Sequence, residues 1–249
     1  MSDWSLTEYV QIVFLKELLS QDQTSLARSV GYTEVSVYTC LGNAVDAWIY
    51  SQELSDQQIQ KIIDYVENRH SNAEILRNPT RMYNCHSYAW YSQSISNTYW
   101  IPSPGAFLSD GVYQPIQWAV GDKVVYFNSE GTATHSGIIV EINGQGLDNI
   151  VIVSKWGICG LYRHVLTDCL YYSPTNPSGT TIVAYRCSHP YSQCDYEWSS
   201  TALHIKTCNV CDKSFTEQHT LNALGICTAC GGRGSDITIN NHNTEALVR

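Results

Sequence analysis

Two residues, fifty positions apart, are of the types that nucleophilic catalysis requires. Cys85 follows Asn84, a residue type favoured at the N-terminal cap of a helix, and His135 begins an apolar segment typical of a strand. A thiol attacks as its thiolate, and a helix N-terminus or a nearby imidazolium lowers the pKa of a thiol. The pattern therefore predicts Cys85 as a nucleophile on a helix that runs to about Ser94, with His135 as its general base.

A catalytic imidazole also needs a partner for its second ring nitrogen. Ser154 lies at the end of the strand predicted to return beside His135 and is the first candidate, with His164 as the second. His86 competes for the role of base, but neighbouring side chains on a helix diverge by about 100° and do not face each other. The alternative is structural: Cys85 as a small buried residue and His135 as a hydrogen-bonded strand histidine.

Four other cysteines have the spacing of a metal site. Cys208 and Cys211 form one C-x-x-C pair, and Cys227 and Cys230 form a second pair after fifteen intervening residues. This spacing predicts a closed, tetrahedral site for structural Zn²⁺, as in a zinc ribbon. Two disulfides in an oxidising compartment are the alternative.

Further histidines and cysteines lie near this group in the sequence. His204 and His219 are spaced to join or replace one of its ligands. His189, together with Cys187 and Cys194, indicates a second but incomplete site.

Composition excludes two classes of function and leaves the compartment open. The formal charge is −9 and the 14 basic residues are scattered, so no nucleic-acid partner is expected. No apolar run approaches the eighteen residues of a transmembrane helix, and the first residues lack the basic start of a signal peptide. Disulfides between Cys187 and Cys194 or between Cys159 and Cys169 would suit an oxidising compartment, but the sequence does not assign them.

Helices are predicted in the first third of the chain. Ser5-x-x-Glu8 and Ser55-x-x-Gln58 are capping-box patterns that open helices, and apolar residues at helical spacing predict another helix over 35–52. These segments contain no catalytic motif. We therefore predict a helical lead-in that packs on a catalytic core.

Strands are predicted from Gly121 onwards, and together with the helices they indicate an α+β fold. Asn143-Gly144 marks a hairpin between two of them. The predicted strands cover 123–127, 135–142, 150–156 and 181–186. The predicted organisation is a lead-in (1–78), a catalytic domain (79–186), a zinc-stapled module (187–232) and a tail (233–249).

Residues about 80–187 resemble the papain-like cysteine peptidases and amidases of the CHAP (cysteine, histidine-dependent amidohydrolase/peptidase) and NlpC types. Cys85-x-x-Tyr88 is similar to their C-x-x-Y helix start, and Gly121-Asp122 with the apolar strand after it is similar to their G-D strand. The segment Thr134-His135-Ser136-Gly137 resembles the strand that carries their catalytic histidine.

The resemblance implies a papain-like fold and hydrolysis of an amide bond through a thioester, with Cys85 and His135 as nucleophile and base. The third position in these families is usually His, Asn, Glu or Gln, so Ser154 departs from their pattern. Their commonest substrates are the peptides and the muramyl–alanine amide of peptidoglycan, which implies action on the cell wall or outside the cell. Two alternatives stay open: a non-catalytic recognition module with a degenerate cleft, and an acyl or isopeptide transferase that uses the same residues.

Overall fold

The computed structural model describes residues 31–172 and 176–233. The chain divides into two compact units, residues 1–186 and 187–249. The helix predicted from Ser5-x-x-Glu8 and the tail after residue 233 lie outside the described residues. Within the described ranges, no helix is both long and apolar enough to cross a membrane.

The segment 35–52, predicted as a helix, is a β-hairpin, so the lead-in 1–78 is not wholly helical. Its strands pair antiparallel from end to end and are β1 (Tyr32–Tyr38) and β2 (Ala44–Tyr50). Val45 and Ala47 are buried while the residues beside them are more exposed, which is the alternation of a strand. Gly42 adopts φ 82° in the turn, a conformation that a helix interior excludes. The prediction failed because apolar residues four apart in a hairpin imitate helical spacing.

The helix predicted from Ser55-x-x-Gln58 is confirmed as α1 (Asp56–Arg69). The hydroxyl of Ser55 accepts from the Gln58 N–H at 3.3 Å, and the Gln58 side chain accepts from the Ser55 N–H at 2.9 Å. These two bonds satisfy donors that a helix N-terminus otherwise leaves free. Ile62 and Val66 on one face of α1 are fully buried in the main core.

A seven-stranded sheet forms the centre of this unit, and helix and sheet together make the fold α+β. The four predicted strands are confirmed as β5 (Lys123–Asn128), β6 (Ala133–Ile142), β7 (Ile150–Lys155) and β9 (Thr180–Cys187). Three strands were not predicted: β3 (Glu74–Arg77), β4 (Tyr113–Ile116) and β8 (Leu161–Val165). The spatial order is β3-β8-β7-β6-β5-β9-β4, and β6 and β7 lie side by side and antiparallel. A short helix, α2 (Gly105–Ser109), precedes β4.

Gly121 and Asp122 connect strands of the sheet. The fully buried carboxylate of Asp122 accepts from Arg186 of β9 at 2.7 and 2.8 Å and from the Ala119 N–H at 2.8 Å. Gly121 adopts φ 89°, and its N–H donates to Ile139 of β6 at 2.8 Å. Gly121 and Asp122 therefore have a structural role, since their contacts join the start of β5 to the two neighbouring strands, β6 and β9.

The second unit contains a three-stranded antiparallel sheet. Its strands are β10 (Cys194–Trp198), β11 (Leu203–Cys208) and β12 (Ser214–Gln218). Among its described residues, no aliphatic side chain and no Phe, Tyr or Trp ring is fully buried. The buried side chains are instead Cys187, His204, Cys208 and Cys227. This unit has a core of metal-ligand residue types.

Candidate functional site

Cys85 stands at the start of a short helical segment that ends in a π-type turn, Ser87–Tyr91. The side chain of Asn84 accepts from the Ser87 N–H at 3.0 Å, so the predicted cap is present. The same amide donates to the carbonyl of Ile101 at 2.7 Å and accepts from its N–H at 3.2 Å. The segment ends before Ser94, where the helix was predicted to end, because Ser92 is already extended (φ −152°, ψ 130°).

The thiol of Cys85 is buried, with 1% of the residue exposed. Burial raises the pKa of this thiol to about 12, although the N–H groups of Ser136 and His86 and the ammonium of Lys155 act in the opposite direction. The sequence predicted an activated thiolate because it indicated the helix N-terminus but not the depth of burial. In this structure Cys85 is a protonated thiol near neutral pH.

Lys155 is a buried residue of this region that the sequence analysis missed. Its ammonium donates to the carbonyl oxygens of Thr80 (2.9 Å), Gly157 and Cys159. Burial lowers the pKa of Lys155 to about 7. The only signal in the sequence was its position after Ser154, at the end of a strand that begins with four apolar residues.

His135 is fully buried on β6, where its ring stacks on Tyr171 at a centroid distance of 4.0 Å. Its Nε2 lies 2.9 Å from the hydroxyl oxygen of Ser154, so the predicted partner is in contact with it. Burial lowers the pKa of His135 well below its usual value, and the neighbouring His164 and His86 add to the effect. The imidazole is therefore neutral at physiological pH.

His164, the second candidate partner, contacts Ser154 instead of His135. Its Nε2 lies 2.7 Å from the Ser154 hydroxyl, and its Nδ1 lies 2.8 Å from the carbonyl of Val165. The indole N–H of Trp156, a residue that the sequence analysis did not assign to the site, donates to both Ser154 (3.1 Å) and His164 (3.0 Å). Ser154 thus lies between two imidazoles.

These contacts restrict where the protons lie. The Val165 carbonyl can only accept, so Nδ1 of His164 carries the proton and its Nε2 is an acceptor, which both the Ser154 hydroxyl and the Trp156 indole N–H approach. When the Ser154 hydroxyl donates to this Nε2, the Ser154 oxygen accepts from Nε2–H of His135. A neutral His135 then has its lone pair on Nδ1, and this atom is buried without a hydrogen-bond partner.

The chain segments of Cys85 and His135 meet at Ser136. The hydroxyl of Ser136 contacts His86 at 2.8 Å and accepts from the Trp90 indole at 3.0 Å, so the helical segment packs on this side of β6. Side chains alternate along a strand, and that of His135 leaves β6 on the other side. The structure therefore brings Cys85 to the backbone beside His135, but no hydrogen bond joins thiol and imidazole.

His86, the competing base, is also fully buried. Its Nδ1 contacts Ser136, and its Nε2 has no hydrogen-bond partner. Burial lowers the pKa of His86 to about 3.

The four cysteines predicted to bind a single metal ion are divided between two clusters. Cys208 and Cys211 lie with Cys187 and His189, and Cys227 and Cys230 lie with His204 and His219. Each cluster could hold a metal ion, since its four donor atoms all lie within 4.8 Å of one another. The prediction of one Cys₄ site is therefore wrong. Each C-x-x-C pair is grouped with two donors from elsewhere in the unit, and the two pairs are not grouped with each other.

All ten cysteines lie within the described ranges, and none of them forms a disulfide. The two disulfides that the sequence left open, Cys187–Cys194 and Cys159–Cys169, are therefore absent from this structure. Cys194 lies beside the first cluster with its sulfur 3.3 Å from the carbonyl oxygen of Pro190.

Comparison with known proteins assigns neither the fold nor the site to a family. No family model, curated protein or solved structure matches this chain. Its function has to be inferred from the side chains themselves.

Proposed function

We propose that the unit 1–186 is a cysteine-dependent amide hydrolase, an endopeptidase or amidase that acts on bacterial cell-wall peptides. The observation that carries this proposal is the chain of hydrogen bonds from Val165 through His164 and Ser154 to His135. This chain orients the imidazole of His135 and leaves a buried lone pair on Nδ1. A general base needs both properties.

In the proposed reaction, the Cys85 thiol transfers its proton to Nδ1 of His135 as the sulfur attacks the carbonyl carbon of the substrate. The N–H groups of Ser136 and His86, which oppose the raised pKa of the thiol, stabilise the developing thiolate. The imidazolium then gives the proton to the leaving amine, and water hydrolyses the thioester to regenerate the thiol. The side chain of His135 leaves β6 on the side away from the Cys85 segment, so the proposed transfer requires β6 to rearrange at His135 and Ser136 when the substrate binds.

A papain-like arrangement and a structural zinc module complete this proposal. In support of the first, the helical segment that carries Cys85 packs on the strand that carries His135, through the contacts of His86 and Trp90 with Ser136. In support of the second, the clusters of the unit 187–249 contain thiol and imidazole donors, which suit Zn²⁺. Four protein donors leave no position for a substrate, so the metal has no step in the reaction.

Replacement of the nucleophile tests the activity. We expect the wild-type protein to release peptide or muramyl–alanine cleavage products from purified peptidoglycan, and Cys85→Ala to reduce this rate by about 10⁴-fold or more. Mass spectrometry of the released fragments measures the rate and identifies the bond. Cys169→Ala is the matched control, because Cys169 is as deeply buried and burial raises the pKa of its thiol to about 12 as well. An unchanged rate in Cys85→Ala would exclude the proposed nucleophile.

A non-catalytic recognition module is the second candidate. It is favoured by the raised pKa of the Cys85 thiol and by the absence of a hydrogen bond between this thiol and His135. Such a module would sediment with peptidoglycan, and neither the wild type nor Cys85→Ala would release fragments. Release by the wild type alone excludes it.

The pH dependence of alkylation tests the protonation state of the free thiol. Because the pKa of Cys85 is about 12, the rate of its reaction with iodoacetamide should rise about tenfold per pH unit between pH 7 and 10. Cys159 is an internal reference, since burial raises the pKa of its thiol to about 12 too. Peptide mass spectrometry resolves the two sites. A rate for Cys85 that is already constant above pH 8 would instead indicate a thiolate–imidazolium pair in the free protein.

A further inference from the structure

The two C-x-x-C segments of the unit 187–249 have the same backbone conformation. The N–H of Asp212 donates to the carbonyl of Cys208 at 2.8 Å, and the N–H of Gly231 donates to Cys227 at 3.0 Å. The backbone N–H groups of Cys208 and Cys227 in turn donate to the carbonyl of the fifth residue after each, at 2.9 and 2.8 Å. Asp212 (φ 57°) and Gly231 (φ 72°) both adopt positive φ directly after the second cysteine. The chain therefore contains two copies of one turn, and each copy presents two thiols on the same side.

Each turn has its own pair of additional donors. The sulfur of Cys208 lies 3.7 Å from that of Cys187, and the sulfur of Cys211 lies 3.4 Å from Nδ1 of His189. In the other cluster, Cys227 lies 3.6 Å from Nδ1 of His204 and Cys230 lies 3.6 Å from Nδ1 of His219. The two histidine Nδ1 atoms of that cluster are 3.3 Å apart.

These distances are those of a tetrahedron around zinc. With Zn–S bonds of about 2.3 Å and Zn–N bonds of about 2.0–2.1 Å, tetrahedral angles separate two sulfurs by about 3.8 Å, sulfur and nitrogen by about 3.5 Å, and two nitrogens by about 3.3 Å. Five measured separations of three different kinds agree with these values. Polar contacts that are unrelated to a metal ion are not expected to give all three of these separations.

The protonation of His219 adds an independent argument. Its Nε2 lies 2.8 Å from the carbonyl of Ser200, so Nε2 carries the proton and Nδ1 presents a lone pair to the cluster. A hydrogen bond from the second nitrogen to a carbonyl is the usual outer contact of a metal-bound histidine. Nε2 of His204 lies 3.7 Å from a carboxylate oxygen of Glu217. The Nδ1 atom of His204 is therefore directed at the cluster, as that of His219 is.

We propose that the unit 187–249 binds two zinc ions, one through three cysteines and one histidine and the other through two cysteines and two histidines. The first donor set is Cys187, His189, Cys208 and Cys211, and the second is His204, His219, Cys227 and Cys230. The sets interleave along the chain, because β11 carries His204 of the second set and Cys208 of the first. One short strand therefore connects the two ions, and neither half of the unit forms its site alone.

Zinc stoichiometry of the full-length protein tests this proposal. We expect elemental analysis to find two zinc ions per chain in the wild type and one in each of Cys211→Ala, Cys230→Ala and His219→Ala. A single Cys₄ site would instead bind one ion in the wild type and retain it in His219→Ala. Cys194→Ala is the control, since Cys194 lies beside the first cluster but outside both donor sets, and it should retain two ions. One ion in the wild type, or a loss in Cys194→Ala without a loss in His189→Ala, would overturn the assignment.

Cobalt titration distinguishes the two donor sets without relying on variants that fold. The metal-free wild type should take up two equivalents of Co²⁺ and develop the absorption of tetrahedral cobalt. The thiolate charge-transfer intensity per cobalt should be about three halves as strong for the first set as for the second, since it bears three sulfurs rather than two. Binding that saturates at one equivalent, or a site without thiolate charge transfer, would contradict the proposal. None of these measurements depends on the hydrolase activity.

Discussion

Acidification from pH 6.5 to 4.5 should destabilise the unit 1–186 by more than about 4 kcal/mol, because three buried histidines resist protonation. Burial lowers the pKa of His86 to about 3 and that of His164 to about 4, and it places the pKa of His135 well below its usual value. Since a domain is typically stable by about 5–15 kcal/mol, we expect unfolding at a pH between about 4 and 5.

The direction of the effect follows from the protons that each state binds. The folded-state pKa values lie below the unfolded value of about 6.5, so the unfolded chain takes up protons that the folded chain cannot. The stability that the three neutral histidines contribute is thus complete above pH 6.5, and it is lost as the pH falls towards their folded pKa values. A histidine contributes about 1.4 kcal/mol per pH unit between its folded and unfolded pKa values, so His86 and His164 together contribute about 3 kcal/mol per pH unit, and His135 acts in the same direction. Lys155, with a pKa of about 7, is protonated in both states below that pH and adds no slope.

Urea denaturation at a series of pH values, followed by tryptophan fluorescence, measures this slope. All but one of the seven tryptophans belong to residues 1–186, so the signal reports mainly on that unit. His86→Asn is the matched variant, because an amide can keep the contact with Ser136 but does not titrate. We expect it to reduce the slope by about 1.4 kcal/mol per pH unit, the contribution of one histidine. If the unfolding free energy of the variant changed with pH as steeply as that of the wild type, His86 would not be one of the buried histidines that cause the acid destabilisation.

Removal of metal should unfold the region of β10, β11 and β12 and leave the seven-stranded sheet intact. Structural zinc contributes about 10–16 kcal/mol per site, whereas no aliphatic side chain and no Phe, Tyr or Trp ring is fully buried among the described residues of this unit. A segment without such a core does not fold on hydrophobic burial. We therefore expect the two proposed zinc sites to supply essentially all of its stability.

Hydrogen exchange of the full-length protein, before and after treatment with a zinc chelator, measures the effect. Amides of β10–β12 should lose their protection, while those of β5, β6 and β7 serve as the internal control and should keep theirs. Added zinc should restore the protection. Persistent protection of β11 in protein shown by elemental analysis to be metal-free would refute the prediction.

The parts of the fold that depend on near neighbours could be predicted from the sequence. The capping box of α1 and the cap by Asn84 follow from hydrogen bonds between residues three apart, and β5–β7 follow from short apolar runs. The helix prediction failed at the hairpin 32–50, where the same apolar residues satisfy the spacing of a helix and of two paired strands. Only pairing of β1 with β2 distinguishes the two structures.

The partners of the candidate residues depended on contacts that no local pattern specifies. Ser154 and His164 meet because the register of β7 and β8 places His164 opposite Ile152, two residues from Ser154. A shift of one residue would turn His164 to the other face of the sheet. The sequence therefore named both residues as alternatives, and the structure makes them consecutive members of one hydrogen-bonded chain.

By itself, the sequence determined which residue types are available for chemistry: a capped cysteine, a strand histidine with a serine partner, and two C-x-x-C pairs. These are local properties, since a cap or a metal-binding turn is encoded within about five residues. The tertiary structure alone decided the burial of Cys85, the hydrogen-bond partners of His135 and the distribution of eight metal-ligand side chains between two clusters. Desolvation, strand register and the crossing of distant segments set those outcomes, and all three depend on residues far apart in the chain.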